Sequence, residues 1–195
     1  MTEADIEQLV DQLARQAGRP SPAVRWIPGK GGQANRRRGQ DVLTLGRGIL
    51  DDTEDARFTA AHEMGHVLLG HTQARNAIRT AVVYIGSAAL AMALGAAASR
   101  WWLGIDPLSG VMMLMPLWLL IQPGILRRLK QPQEREADTY AAAHGAPLTL
   151  ALAARYTARQ TRTDRLTARL FPIHPPWPER AAHAATAPAE GPLST

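Results

Sequence analysis

The sequence predicts an α+β fold, mainly helical with a small β-sheet, into which a pair of membrane-length helices is inserted. Three observations predict it. Apolar residues recur at helical spacing near the N-terminus and again around residues 53–69, short β-rich runs fall between those helices, and two later stretches of about twenty residues lack any charge. A length of 195 residues fits one domain with one core.

Residues 2–17 place Ile6, Leu9, Val10 and Leu13 on one helical face, with Thr2 as N-cap and Gly18 and Pro20 as stop signals. The polar face of this helix is acidic, which fits a cover for the core and not a membrane-surface helix. Residues 24–27 and 41–45 read as strands, and the Gly- and Arg-rich residues 29–39 between them as a mobile loop. No aromatic residues are interleaved with Arg36, Arg37 and Arg38 to stack on bases, so solvent or lipid headgroups are expected there and no nucleic acid. A helix should then start at Thr53 as N-cap, carry Glu54 and Asp55 in its first turn, and run to about Leu69 before Gly70.

Residues 80–99 and 108–126 contain no charged residue, and each would span roughly 30 Å as a helix at about 1.5 Å per residue. Residues 100–107 are short enough to join them as a hairpin, with Trp101 and Trp102 suited to an interfacial belt. Ala89, Ala93 and Ala97, with Gly95 and Ser99, offer small-residue faces for close contact, and Pro116 and Pro123 are expected to bend the second span. A buried soluble hairpin is the competing reading, because residues 80–99 are rich in Ala and Gly. Arg75, Arg79, Arg127, Arg128 and Lys130 flank the outer ends of the pair, against Arg100 alone in the connection. The positive-inside tendency therefore predicts a two-span protein of the cell membrane with its domain and both termini in the cytoplasm. The acidic N-terminus does not have the form of a cleaved signal peptide. The expected layout is a first half-domain at 1–79, the hairpin at 80–126, a second half-domain at 127–185 and a disordered Pro- and Ala-rich tail at 186–195.

Net charge is +5, from 22 Lys and Arg against 17 Asp and Glu, and selects no partner by itself. The absence of cysteine excludes disulfides, thiolate metal sites and a cysteine nucleophile, leaving His, Asp and Glu as metal ligands. His62-Glu63-Met64-Gly65-His66 lies inside the helix expected over 53–69. At i and i+4 the two imidazoles project from one face and can bind a single tetrahedral Zn²⁺. Glu63, rotated by about 100° from His62, can reach the attacking water without becoming a ligand. His71 stands one position early for a ligand at the end of an extended His motif and reads as an unrelated helix-end histidine. The third ligand is sought in Glu134-Arg135-Glu136-Ala137-Asp138, which reads as a second helix after the hairpin. Glu134 and Asp138 share a face with Ala137 and Ala141, whereas Glu136 points about 200° away from Glu134. Glu134 is therefore assigned to the metal and Asp138 to the orientation of a ligand histidine.

These motifs resemble those of integral-membrane metallopeptidases with paired His ligands and a Glu ligand, a group that includes HtpX-like bacterial proteases and CAAX prenyl proteases. The resemblance rests on HEMGH at 62–66, EREAD at 134–138, and His174-Pro175-Pro176 followed by Arg180, with a hairpin between the first two motifs. It covers residues 42–180 and implies a zincin-like catalytic domain, one zinc ion per chain, and a role for His174 and Arg180 in stabilising the oxyanion. HtpX-like proteins usually carry two further membrane segments before the His motif, and residues 1–61 contain none. CAAX proteases enclose their centre in many helices, which two spans cannot build, so prenylated substrates are not implied. A second resemblance, confined to Arg57-Phe58-Thr59 and AHEMGHVLLGH, is to ImmA/IrrE-like regulatory peptidases.

The expected activity is hydrolysis of polypeptides, including membrane proteins, in quality control or processing, with a lipid bilayer as the other partner and the oligomeric state undetermined. Residues 41–45 are the candidate edge strand on which an extended substrate would pair. The alternatives are a soluble ImmA/IrrE-like regulatory peptidase and a noncatalytic adaptor built on a zinc scaffold.

Overall fold

The computed structural model describes residues 1–170 and 174–186. The first helix, α1 (Glu3–Gln16), starts at Thr2, whose hydroxyl accepts from the Asp5 N–H while the Asp5 carboxylate accepts from the Thr2 N–H. That exchange satisfies two amides that a helix start leaves unpaired. Ile6, Val10, Leu13 and Ala14 form its buried stripe and lie against α2 (Thr53–Leu68).

Between them is a three-stranded sheet in the order β1-β3-β2, in which β1 (Ala23–Ile27) runs parallel and β2 (Gly32–Arg37) antiparallel to β3 (Gln40–Gly46). Two expectations change here. The mobile loop expected over 29–39 is mostly strand, because β2 has neither face deeply buried and so needs no apolar alternation to form. Its register is set by the turn, where Arg38 and Gly39 both adopt positive φ (49° and 85°), the twist that links paired strands through two residues. The strand expected at the edge, residues 41–45, is instead central: Leu43 and Leu45 are fully buried in the core, and β2 forms the edge beside α2.

Helix α2 is buried nearly all round, through Ala56, Phe58, Ala60, Ala61, Met64 and Val67. Its cap is Asp52 and not Thr53, the Asp52 carboxylate accepting from the N–H groups of Glu54 and Asp55 at 3.0 and 3.3 Å. Across this end lies α5 (Leu150–Arg159), whose Arg155 pairs with Asp52 and Glu54 and whose Tyr156 hydroxyl donates to the buried Asp55. The chain ends its described course with α6 (Arg162–Leu170) and α7 (Trp177–Thr186), the latter packed on α5. The expected tail lies outside the described residues from Ala187 onward, and Thr186 closes α7.

The hairpin consists of α3 (Ala74–Ala98), a wide turn at Ser99–Leu103, and α4 (Pro107–Ala143). The motif around Glu134 is not on a separate helix: α4 continues for 37 residues, about 56 Å at 1.5 Å per residue, from the apolar stretch through the acidic one. Pro116, Pro123 and Pro132 lie within it, each removing one rung of the hydrogen-bond ladder at points about two turns or more apart, and the intervening rungs hold. Both helices are long and apolar enough to cross a membrane, and only 6% and 17% of their apolar windows are buried within the protein. A soluble core hairpin would bury far more than that. Trp101 and Trp102 stand almost free at its tip.

The two helices cross where Gly95 meets Gly110, and a Cβ on Gly110 would lie 1.9 Å from the Gly95 carbonyl oxygen. Nearby, the Trp118 indole donates to the Ser87 hydroxyl at 3.1 Å and stacks edgewise on Tyr84. Replacing Gly110 by Ala should force the helices apart and cost about 1–3 kcal/mol in reversible unfolding, whereas Ser109→Ala, at an exposed neighbour, should change stability by less than about 0.5 kcal/mol. Equal stabilities would show that the crossing does not constrain the hairpin.

Candidate metal centre

Helices α2 and α4 meet where a Cβ on Gly65 would stand 3.1 Å from the Ala137 Cα, so a side chain there would push the two helices apart by a few tenths of an ångström. This contact brings the imidazoles of His62 and His66, one turn apart on α2, to the carboxylate of Glu134, which lies far along the chain on α4. His62 Nε2 and His66 Nε2 are 3.2 Å apart, His66 Nε2 is 3.4 Å from Glu134 Oε1, and His62 Nε2 is 3.6 Å from Glu134 Oε2. Ligands held about 2.0–2.2 Å from a tetrahedral ion are spaced by about 3.3–3.6 Å, so these separations, with one Glu134 oxygen facing each histidine, are of the size a zinc ion requires. Among the described residues these three form the group that could hold a metal. The donor set, two ring nitrogens and one carboxylate, also suits zinc.

The far nitrogen of His62 is fixed. Its Nδ1–H donates to Asp138 Oδ1 at 2.9 Å, which turns the Nε2 lone pair toward Glu134. Asp138 is fully buried and is itself gripped by Arg180, whose Nε and Nη2 donate to its two oxygens at 2.8 and 2.6 Å. The Arg180 guanidinium is buried too, 4.5 Å from the centre of the Trp177 ring. His174, by contrast, is exposed, and its Nδ1–H donates to Glu134 Oε2 at 2.6 Å.

Glu63 lies one residue beyond His62 on the side of β2, where a Cβ on Gly32 would stand 2.7 Å from its side chain. Burial pushes the Glu63 carboxyl above its ordinary value, against the pull of the two histidines. For His62, burial opposes protonation, but hydrogen bonds to Asp138 and Glu134 outweigh it and push the pKa up to about 9. A cleft of 810 Å³ opens over these groups, lined by Gly32, His62, Glu63, Glu134, Tyr156 and His174 among others.

The structure therefore brings together the site residues singled out from the sequence: His62, Glu63, Glu134 and Asp138 buried in one cluster with the half-buried His66, Arg180 against Asp138, and His174 at the rim. His71 is not the unrelated helix-end histidine expected. Its Nδ1 is 2.9 Å from His66 Nδ1, and its Nε2 is 2.9 Å from Glu136 Oε2. The turn after α2 explains the difference: Gly70 takes positive φ (75°) and the His71 N–H donates to the His66 carbonyl, which folds the ring back beside His66. The Gly70-His71 pair after the helix carries that signal in the sequence. Tyr156, which walls the cleft, carries none, because α5 has no motif, and Trp177 is passed over although it lies between His174 and Arg180.

Comparison with known proteins gives one result. A family model described as Peptidase family M48 matches residues 1–187. No curated protein and no solved structure matches the chain.

The raised pKa of His62 fixes a pH dependence. Protein treated with a chelator should carry a proton on His62 that the unfolded chain, with its ordinary value of 6.5, releases sooner. Its stability should therefore fall, by up to a few kcal/mol, as pH rises from about 6.5 to about 9. Zinc-saturated protein, with the same lone pair engaged, should lack this decline. Urea unfolding across that range checks it, and parallel profiles with and without zinc would contradict the assignment.

Proposed function

The chain belongs to peptidase family M48 and is a protease, and from that premise we propose that it is a membrane-anchored zinc endopeptidase acting on membrane or other locally unfolded polypeptides in quality control or processing. The observation that carries the reading is the triangle of His62 Nε2, His66 Nε2 and Glu134 carboxylate oxygens, with edges of 3.2–3.6 Å, beside a buried Glu63. When bound, zinc would acidify the attacking water and draw electron density from the scissile carbonyl. The remaining steps belong to the chain.

Glu63, its carboxyl raised by burial, takes the proton of the water as it attacks and hands that proton to the departing amine. Asp138 keeps the proton of His62 on Nδ1, and Arg180 keeps Asp138 ionised and in place, so Arg180 acts through that carboxylate. His174, exposed at the rim, is the proposed direct donor to the oxyanion. Of the two edges of the sheet, β2 is the one that runs alongside α2 and lies against Glu63 at Gly32. An extended substrate would pair with β2 and so lie across the cleft with its backbone near Glu63. The substrate must be locally unfolded to do so.

Anchoring is supported by the two exposed apolar helices, and sidedness by Arg75, Arg79, Arg127, Arg128 and Lys130 at their domain ends. In this reading the domain faces the cytoplasm, and carbonate extraction of cell membranes should leave the protein in the pellet. Release into the supernatant would favour a soluble regulatory peptidase.

Glu63→Gln should retain one zinc per chain and lose cleavage by at least about a hundredfold, and His62→Ala or Glu134→Ala should lose the zinc itself. An adaptor would be indifferent to Glu63→Gln. Proline substitutions through residues 33–36 should reduce cleavage of an extended peptide by about tenfold or more without removing zinc. Unchanged cleavage would exclude β2 as the substrate strand.

A further inference from the structure

We infer that His71 and Glu136 are positioning residues for the metal centre, a relay that fixes the proton of His66 on Nδ1 and aims its Nε2 at the ion. The inference rests on the proposed role of His66 as a ligand. It concerns two side chains that the mechanism above does not use, one of them beyond the end of α2 and the other on the face of α4 turned away from Glu134.

For neutral imidazoles the geometry admits one assignment of protons. Glu136 Oε2 accepts, so the His71 nitrogen 2.9 Å away, Nε2, must carry hydrogen. A neutral His71 then has its lone pair on Nδ1, which faces His66 Nδ1 at 2.9 Å, so His66 must donate from Nδ1. The remaining lone pair of His66 lies on Nε2, which points at His62 and Glu134. Reversing the middle bond would place a bare His71 nitrogen against a carboxylate and a hydrogen of His66 inside the metal triangle. The relay excludes both.

The two ligand histidines are thus oriented by different devices. Asp138 reaches His62 directly, whereas Glu136 reaches His66 through an intervening ring. The reason is direction on α4: residues 134 and 138 lie one turn apart on the side that faces α2, whereas residue 136 points about 200° away from residue 134. The left-handed turn at Gly70 supplies the ring that bridges the remaining gap. His71 is closely enclosed, and Glu136 is 60% exposed at the mouth of a second, smaller cleft that it shares with Arg75 and Arg128.

The test is zinc affinity of the full chain, measured by competition with a chromophoric chelator, alongside the imidazole nitrogen signals of His66 in long-range ¹H–¹⁵N spectra. His71→Leu should weaken zinc binding by about 10–100-fold, and Glu136→Ala by about 10-fold. His71→Gln should restore binding to within about threefold, because a carboxamide accepts at one end and donates at the other. The ¹⁵N shifts of zinc-free His66 should report hydrogen on Nδ1 in wild type and in His71→Gln, and a mixture of tautomers in His71→Leu. A residue that merely braces the turn would alter melting temperature without moving either readout. Glu136 is exposed, so Glu136→Ala keeps the test decisive should His71→Leu misfold. Unchanged affinity in both variants, while His62→Ala abolishes binding, would overturn the relay and leave the metal centre standing. A wild-type chain that takes up no zinc would overturn the metal centre and the relay together.

Discussion

Two imidazole nitrogens and a carboxylate face one another below the surface at separations of 3.2–3.6 Å. Lone pairs crowded in this way, in a medium less polarisable than water, repel unless a proton or a cation is shared among them. Much of the surrounding structure can be understood as what is needed to hold the groups there. Gly65 and Ala137 let the two helices approach, Asp138 and His71 turn the rings, and Arg180 neutralises the carboxylate that would otherwise be buried uncompensated. Remove any one and the remaining groups are free to relax into solvent or into bonds with each other.

That dependence explains how the cradle is legible in the sequence while its surroundings are only partly so. His62 and His66 are found by a spacing that follows from helix geometry, and Glu134 with Asp138 by the same rule applied further on. The length and type of α1 follow equally from local pattern, down to Thr2 as its cap. Strand β2 is missed because Gly32, Gln33, Asn35, Arg36 and Arg37 have no alternation to read, its existence being decided by pairing with β3 and by the turn at Arg38 and Gly39. Strand β3 is found but misplaced, since a sequence does not say which neighbours a strand will have. The continuity of α4 is missed because the uncharged run ends at Leu126 and the acidic motif begins at Glu134, a change of composition that reads as a boundary although the helix continues through it. His71 looks like an ordinary helix-end residue until the turn at Gly70 brings its ring back on to His66.

The hairpin and the elements around the histidines share no motif, yet they share α4 as a single rod. Its apolar half is covered on one side by α3, through the Gly95–Gly110 crossing, and otherwise exposes Leu108, Met112, Met113, Leu117, Leu120 and Ile121. Its acidic half enters the core of the domain and is buried at Glu134, Ala137, Asp138 and Ala141. A helix that changes environment midway in this manner transmits tilt as well as position, since no flexible joint separates the two halves.

The ligands of the cradle straddle the hairpin: two histidines come before it in the chain, the glutamate after it, and the arginine that secures Asp138 later still. A polypeptide emerging from the ribosome thus exposes His62, Glu63 and His66 long before their partners exist. Until the last helix has docked, Asp138 lacks Arg180, so the donors proposed to hold the metal are present in the chain before the ion pair that secures them.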